Sequence, residues 1–296
     1  MADKLGLVVE GGGMRGIYAS GVLDELLLRG IKADGLVGVS AGIIHGVSYV
    51  SEQLGRNIRY FLKYREDKRF MSWSSLFKTG NVCETEFCYD EIPYKLSIFD
   101  FDTFARRAES MEVYSTVTRL DTGKAEYIRL LDLRKQMDAV RASASLPLVS
   151  ENVEVDGKLY LDGGTADSIP LKFMQSAGFK KNIVILTRPE GYVKKPDRTV
   201  PLMKVMYKDY PKYIKACEDR HIMYNKELEY VRREEAKGDT LVIRPSRLIN
   251  VSRTEKNLEK MKRMYKLGRF DAMNAFNDLE KIKKICQAFL IMSRND

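Results

Sequence analysis

The stretch Gly35-Leu36-Val37-Gly38-Val39-Ser40-Ala41-Gly42 begins as a short apolar run, breaks at a serine and continues as a helical pattern, which is how a buried strand turning sharply into a helix reads. Within it, Gly38-Val39-Ser40-Ala41-Gly42 spells G-x-S-x-G. At a strand end this spacing makes a nucleophile elbow: the two glycines relieve crowding around the turn, and the serine hydroxyl is projected above the carboxyl ends of the strands. Upstream, Leu5 to Glu10 is a second apolar run, and it ends in Gly11-Gly12-Gly13-Met14-Arg15-Gly16. From Ile17 the pattern is again helical, with Ala19, Val22, Leu23 and Leu26 on one face and Gly30 as the stop. Strand, helix, strand, helix predicts an α/β fold whose parallel sheet is covered on both faces.

The glycine cluster admits two readings. G-x-G-x-x-G after a strand and before a helix is the dinucleotide fingerprint, which needs an acidic residue at the end of the second strand to hold the ribose hydroxyls. Here that strand ends in Ser40, and Asp34, at about the right spacing, precedes the strand and falls at the wrong end of the sheet. A P-loop would need Gly-Lys-Ser/Thr after the glycines, and none follows. In the other reading the turn offers backbone N–H groups, freed at a helix N-terminus, to an anion that exists only during reaction. A serine hydroxyl beside such a turn becomes a nucleophile when a base takes its proton. Histidine is that base in a Ser-His-Asp triad, but the chain has only His45 and His221. His45 follows Ser40 by five residues on the same helix, and at about 100° per residue it points away. His221 falls in a charged C-terminal stretch, far from any predicted strand end. The base is then a carboxylate, and Asp162 is the candidate: it follows Leu159-Tyr160-Leu161 and precedes Gly163-Gly164, a third tight turn at a strand end.

The remainder fits around these turns. Glu112 to Leu131 alternates about Asp121-Thr122-Gly123-Lys124 and reads as a hairpin. A helix is expected from Asp132 to about Ala142, a second hairpin from Val153 to Leu161 turning at Asp156-Gly157, and strands at Asn182 to Thr187 and Leu241 to Arg244. Twelve of the 29 aromatic residues lie between Asn57 and Phe104, among them Phe61, Phe70, Trp73 and Phe77, where they either pack an irregular insert or cap a lipid site. The 296 residues, 44% hydrophobic and 31% charged, have the balance of a folded globular protein. Two parts are expected: residues 1–190, and a basic, mostly helical extension over 191–296 with charged helices from Thr254 to Phe289. No apolar run approaches the ~20 residues of a membrane span, and the N-terminus lacks the pattern of a leader, so a cytoplasmic protein is expected. Cys83, Cys88, Cys217 and Cys286 show no C-x-x-C spacing, which argues against structural zinc and a disulfide framework. The net charge of +9 is uneven, with 23 Lys+Arg against 25 Asp+Glu in 1–180 and 27 against 16 in 181–296. The C-terminal excess either solvates helices or attracts an anionic membrane surface or nucleic acid. Met203 to Lys208 and Met261 to Lys266, which mix lysines with apolar residues, are the segments expected to make the membrane contact.

Three motifs in this order, Glu10 to Gly16, Gly38 to Gly42 and Asp162-Gly163-Gly164, resemble those of the patatin-like phospholipase family. Arg141-Ala142-Ser143-Ala144-Ser145-Leu146-Pro147 and the hairpin before Asp162 are similar as well, and the resemblance runs over roughly Lys4 to Leu186. It implies a three-layer α/β/α fold with a mainly parallel sheet. It also implies hydrolysis of fatty acyl esters of glycerolipids or (lyso)phospholipids by a Ser-Asp dyad through an acyl-enzyme, with no metal and no cofactor. Carried over by position, Ser40 is the nucleophile and Asp162 the base. The N–H groups of Gly12 and Gly13 form the oxyanion hole, in a loop completed by Gly11, Met14, Arg15 and Gly16. Gly38, Val39, Ala41 and Gly42 shape the elbow, and Gly163 and Gly164 the base turn. Glu10 stands where the family's common residue is Asp. The C-terminal part resembles the extensions of bacterial members and carries no assigned role. The partners expected are a lipid ester substrate and an anionic membrane surface, with no nucleic acid. The alternative from another class is a lipid-binding or scaffold protein of the same fold without turnover.

Overall fold

The computed structural model describes residues 3–252 and 254–277. β1 (Leu5–Val9) passes through a 3₁₀ turn at Gly13–Gly16 into α1 (Ile17–Leu28), and β2 (Gly35–Val39) turns at Ser40 into α2 (Ala41–Val50). α3 (Arg56–Tyr64), α4 (Trp73–Thr79), a π-helical segment (Phe87–Leu96) and α5 (Phe101–Ser110) lead to β3 (Glu112–Arg119), β4 (Ala125–Leu130) and α6 (Leu133–Ala144). Next come β5 (Val153–Val155), β6 (Lys158–Asp162), α7 (Leu171–Ser176) and β7 (Lys181–Ile185). α8 (Val200–Met206), α9 (Pro211–Lys237), β8 (Thr240–Ile243) and α10 (Leu258–Asn277) complete the described chain.

The strands form one eight-stranded sheet in the order β5-β6-β3-β2-β1-β7-β8, with β4 paired to β3. β3, β2, β1, β7 and β8 run parallel, whereas β4, β5 and β6 join antiparallel. Strands covered on both faces must be apolar along their whole length, and side-chain alternation divides them between two cores. Leu7, Val9, Leu36, Ile183 and Ile243 pack with α1, α2 and α10, while Val8, Val37, Val184 and Val242 pack with Leu171 and Met174 of α7 and Leu228 and Val231 of α9. This is the three-layer α/β/α architecture. The aromatic stretch from Asn57 to Phe104 is mostly packing, since Phe61, Phe70, Phe87, Phe99, Phe101 and Phe104 all join the first core. Trp73 and Phe77 of α4, together with Tyr94, are the exceptions, and Phe77 is 89% exposed.

One detail of the sheet places the site. β2 occupies the edge of β3 from Glu112 to Thr116, and β6 takes over the same edge from Val117 to Arg119. The two strands approach head to head, so that Val39 lies beside Thr116 and Asp162 beside Val117. The residue after Val39 is Ser40. The hairpin that delivers β6 turns at Asp156 (φ 50°) and Gly157 (φ 72°), the paired left-handed residues that a two-residue I′ turn requires.

Beyond residue 190 the chain continues the same sheet through β8, parallel to β7. α10 crosses α1 where both helices lack a side chain: a Cβ on Gly21 would sit 2.2 Å from Tyr265 O, and one on Gly268 2.1 Å from Tyr18 O. Tyr18 donates to Asp271 Oδ2 (3.0 Å), Tyr265 to Asp24 Oδ2 (2.8 Å), and Arg269 pairs with Glu25 (3.0 Å). Met261 and Met264 are therefore buried against α1, and only Lys262, Arg263 and Lys266 of that segment face solvent. The expected membrane-facing stripe at Met261 to Lys266 is instead a core face with charges on its back. The part of the expected helix from residue 278 to Phe289, and Cys286 with it, lies outside the described residues.

Candidate active site

Ser40 has φ 55° and ψ −125°, a backbone state that costs an L-residue about 1–3 kcal/mol and persists only where neighbours impose it. Two neighbours do. The Ser40 N–H donates to Ser143 Oγ (2.8 Å), and the first turn of α2 presses so closely on the end of β1 that a Cβ on Gly42 would stand 2.2 Å from Val9 O. Asp162, 2% exposed, is held by the same segment from the other side, its N–H donating to Ser145 O (2.8 Å) while its Oδ1 accepts from Gly164 N–H (2.8 Å). Ser143-Ala144-Ser145, at the end of α6, is thus the strut between elbow and base turn.

A cleft opens to solvent above the strand ends. Ser40, Asp162, Gly11, Gly12, Gly13 and Arg15 line it, together with Val39 and Gly164. Met14, Gly16, Gly38, Ala41, Gly42 and Gly163 do not reach it; they are buried in the turns beneath. His45 is fully buried with its ring 5.1 Å from that of Phe61, and burial pushes its pKa down to about 4, so it is neutral. His221 directs Nδ1 at the Glu218 carbonyl of its own helix (3.0 Å). Neither histidine lines the cleft. Asp34 accepts from Leu5 N–H (2.7 Å) at the opposite end of the sheet, which removes the ribose partner a dinucleotide site would need.

The expectation that the stretch around His221 lies far from the strand ends does not hold. α9 runs along the cleft with Arg220 and Tyr224 in its wall, and Glu227 follows on the same face at the i, i+4, i+7 spacing, next to Ser168. Arg220 Nε donates to Gly164 O of the base turn (2.6 Å), Tyr224 donates to Glu10 Oε1 (2.6 Å), and Glu227 Oε2 accepts from Ser168 and Ile169 N–H (3.2 and 3.1 Å). Glu10 in turn accepts from Thr187 N–H through Oε2 (2.6 Å), tying the glycine loop to the end of β7. Burial first, and then the facing Asp167 carboxylate, push the Glu227 carboxyl well above the usual range. Burial raises Asp167 too, and Tyr127 donates to it. Glu227 therefore folds with a proton it would lack in the unfolded chain at neutral pH. Stability from this group is fully present below the unfolded pKa and is lost as pH rises through the higher folded value. Glu227→Gln has no such proton to lose, so the melting temperature of wild type minus that of the variant should fall as pH rises above the ordinary carboxylate range. A flat difference would mean that the pair carries no extra proton.

These features define a class: three-layer α/β proteins whose serine elbow, glycine loop and carboxylate turn meet above the parallel strand ends. A family model, patatin-like phospholipase, matches residues 7–174, and the chain belongs to that family. A second, a domain of unknown function designated DUF6363, matches residues 210–284, the span of α9, β8 and α10. The uncharacterized protein YjjU of Escherichia coli strain K12 is 30% identical over 189 residues, 63% of this chain and 52% of YjjU. Lysophospholipase NTE1 of Candida albicans is 29% identical over 188 residues, 62% of this chain but 13% of NTE1. The probable lipid hydrolase 463L of Invertebrate iridescent virus 6 is 22% identical over 60% of this chain and 65% of its own. The match thus spans about half of YjjU and a small part of NTE1. The solved structure of VipD from Legionella pneumophila aligns over 93% of this chain and 67% of its own, at 12% identity and a TM-score of 0.45.

Proposed function

We propose that the protein is a serine acyl hydrolase cleaving fatty acyl esters of glycerolipids or (lyso)phospholipids. The head-to-head approach of β2 and β6 along β3, which sets Ser40 and Asp162 in one cleft, carries this reading. Ser40 Oγ attacks the ester carbonyl carbon as its proton passes to Asp162. The oxyanion takes hydrogen bonds from the Gly12 and Gly13 N–H groups. Collapse expels the alcohol, which receives the proton from Asp162 and leaves the acyl chain on Ser40. Water, deprotonated by Asp162, then releases the fatty acid and restores both residues. Residues 1–190 are the hydrolase part, and 191–296 the extension whose α9 closes the cleft. A fluorophosphonate probe tests the reading: covalent labelling at Ser40 supports it, and an unlabelled wild type beside a labelled control hydrolase favours the idle lipid-binding alternative.

No helix among the described residues is long and apolar enough to cross a membrane. Contact with lipid is proposed at the cytoplasmic membrane surface, through the flank of the cleft. Leu146 lines the cleft, and the loop after it is braced by the segments that follow α4 and α8: Val82 N–H donates to Val149 O (2.8 Å) and Leu148 N–H to Tyr207 Oη (3.1 Å). Those helices expose Trp73, Phe77, Leu202, Val205 and Met206, with Lys204 among them. Apolar side chains of this kind insert while lysines add about 1 kcal/mol each near an anionic surface. Sedimentation with phosphatidylglycerol vesicles, little with zwitterionic ones, and release as the Debye length shrinks to ~3 Å at 1 M salt are expected. Equal binding to both vesicle types, or to neither, removes the membrane from the partners.

A further inference from the structure

We propose that Arg188, Lys194 and Arg220 form an anion subsite in the wall of the cleft, by which the hydrolase selects lipids with net negative headgroups over zwitterionic ones. The inference rests on the hydrolase reading and adds its specificity. All three residues lie after the family-matched stretch ending at 174, and all three line the cleft that holds Ser40. Their positions are built by aromatic rings. The Arg188 guanidinium lies over Tyr192 (4.3 Å to the centroid), the Lys194 ammonium over Tyr224 (5.0 Å), and the two rings meet edge to face at 6.0 Å. Among the described residues neither Arg188 nor Arg220 forms an ion pair; Arg220 spends one donor on Gly164 O and keeps the rest of its fork. Tyr224 is itself held, since its hydroxyl donates to Glu10 Oε1.

The charge around the serine is cationic on balance. Arg15, Arg188, Lys194 and Arg220 line the cleft against two carboxylates, Glu10 and Asp162. Glu10 already accepts from Thr187 and Tyr224, and Asp162 from Gly164. A phosphodiester or phosphomonoester beside the scissile ester would meet guanidinium donors, whose charge-assisted hydrogen bonds are about twice as strong as neutral ones. A choline or ethanolamine cation on the same phosphate would be pressed against like charge, and that repulsion is what discriminates. Arg220 also steadies the base turn, so Arg188 and Lys194 are the residues to vary.

The test uses the full chain and three lipids of one short acyl chain kept below aggregation: lysophosphatidylglycerol, lysophosphatidylcholine and monoacylglycerol. Wild type should favour the first over the second in kcat/KM by about tenfold, the scale of one charged hydrogen bond. Arg188→Gln and Lys194→Gln should each cut that preference several-fold, through KM, and Arg188→Lys should retain more of it. Because each preference is a ratio within one preparation, partial unfolding cancels. Equal rates on the two phospholipids by wild type, or a parallel fall on all three lipids in the variants, overturns the subsite. If none of the three is cleaved, the hydrolase reading fails, and calorimetry decides the subsite alone. Glycerol phosphate bound by wild type and lost in both Gln variants supports it, and no binding overturns it. Inorganic phosphate bound as tightly, with no preference among lipids, marks a free-phosphate site and overturns the lipid selection.

Discussion

Ser40→Ala and Asp162→Asn should each lower acyl-ester hydrolysis by ~10³-fold or more, because a nucleophile and its base act as one unit and fail together. Ser40→Ala removes the attacking oxygen. Asp162→Asn keeps an acceptor for the Gly164 N–H at 2.8 Å, so the base turn should stay folded while the proton has nowhere to go. Fatty acid release, scored beside fluorophosphonate labelling, reads both changes. His45→Gln and His221→Ala supply the contrast and should keep more than roughly a tenth of activity. His45, on α2, is fully buried against Phe61 and neutral, and His221 bonds its own helix. Near-complete loss in a folded His45→Gln protein would restore a histidine base and demote Asp162.

Gly13→Ala should slow turnover by ~10²-fold, the scale of losing one oxyanion donor. Gly13 has φ 57°, a left-handed state in which a Cβ costs about 1–2 kcal/mol. That strain would be relieved by moving the loop, and the backbone N–H groups would turn from the point where negative charge develops. The melting temperature should fall by a few degrees while kcat falls far more. A loss of activity no larger than the loss of folded protein would take the loop out of the chemistry. Saturable stabilisation by a nicotinamide dinucleotide would revive the reading that the position of Asp34 sets aside.

The sheet and its three glycine turns were legible because each is local: an apolar run, then small residues where the backbone must bend or be approached. Leu5–Val9, Gly35–Val39 and both hairpins stand where the residues place them. The wall of the cleft was not legible. Arg188, Tyr192 and Lys194 lie in a loop without period, and a helix pattern in α9 does not say which end of the sheet the helix crosses. The spacing of Arg220, Tyr224 and Glu227 was the available signal, but a charged face looks the same beside the Asp162-Gly163-Gly164 turn as beside water. Met261 to Lys266 misled for a related reason. Its lysines suggested surface, whereas Met261, Met264, Leu267 and Gly268 together mark a buried stripe.

The crossing of α1 and α10 has a consequence for the order of assembly. Tyr18 waits for Asp271, Asp24 for Tyr265 and Glu25 for Arg269, partners more than 240 residues further along the chain. A chain emerging from the ribosome makes α1 among its first elements, and domains ordinarily fold as units while synthesis proceeds. Here the earliest helix keeps acidic residues and bare backbone at Gly21 exposed until nearly the whole described chain has been made. Contacts this distant in sequence close slowly. The glycine loop, anchored on one side by α1 and on the other by Tyr224 of α9, is therefore set in place late, and a nascent chain carries Ser40 for most of its synthesis without the surroundings it has in the folded cleft.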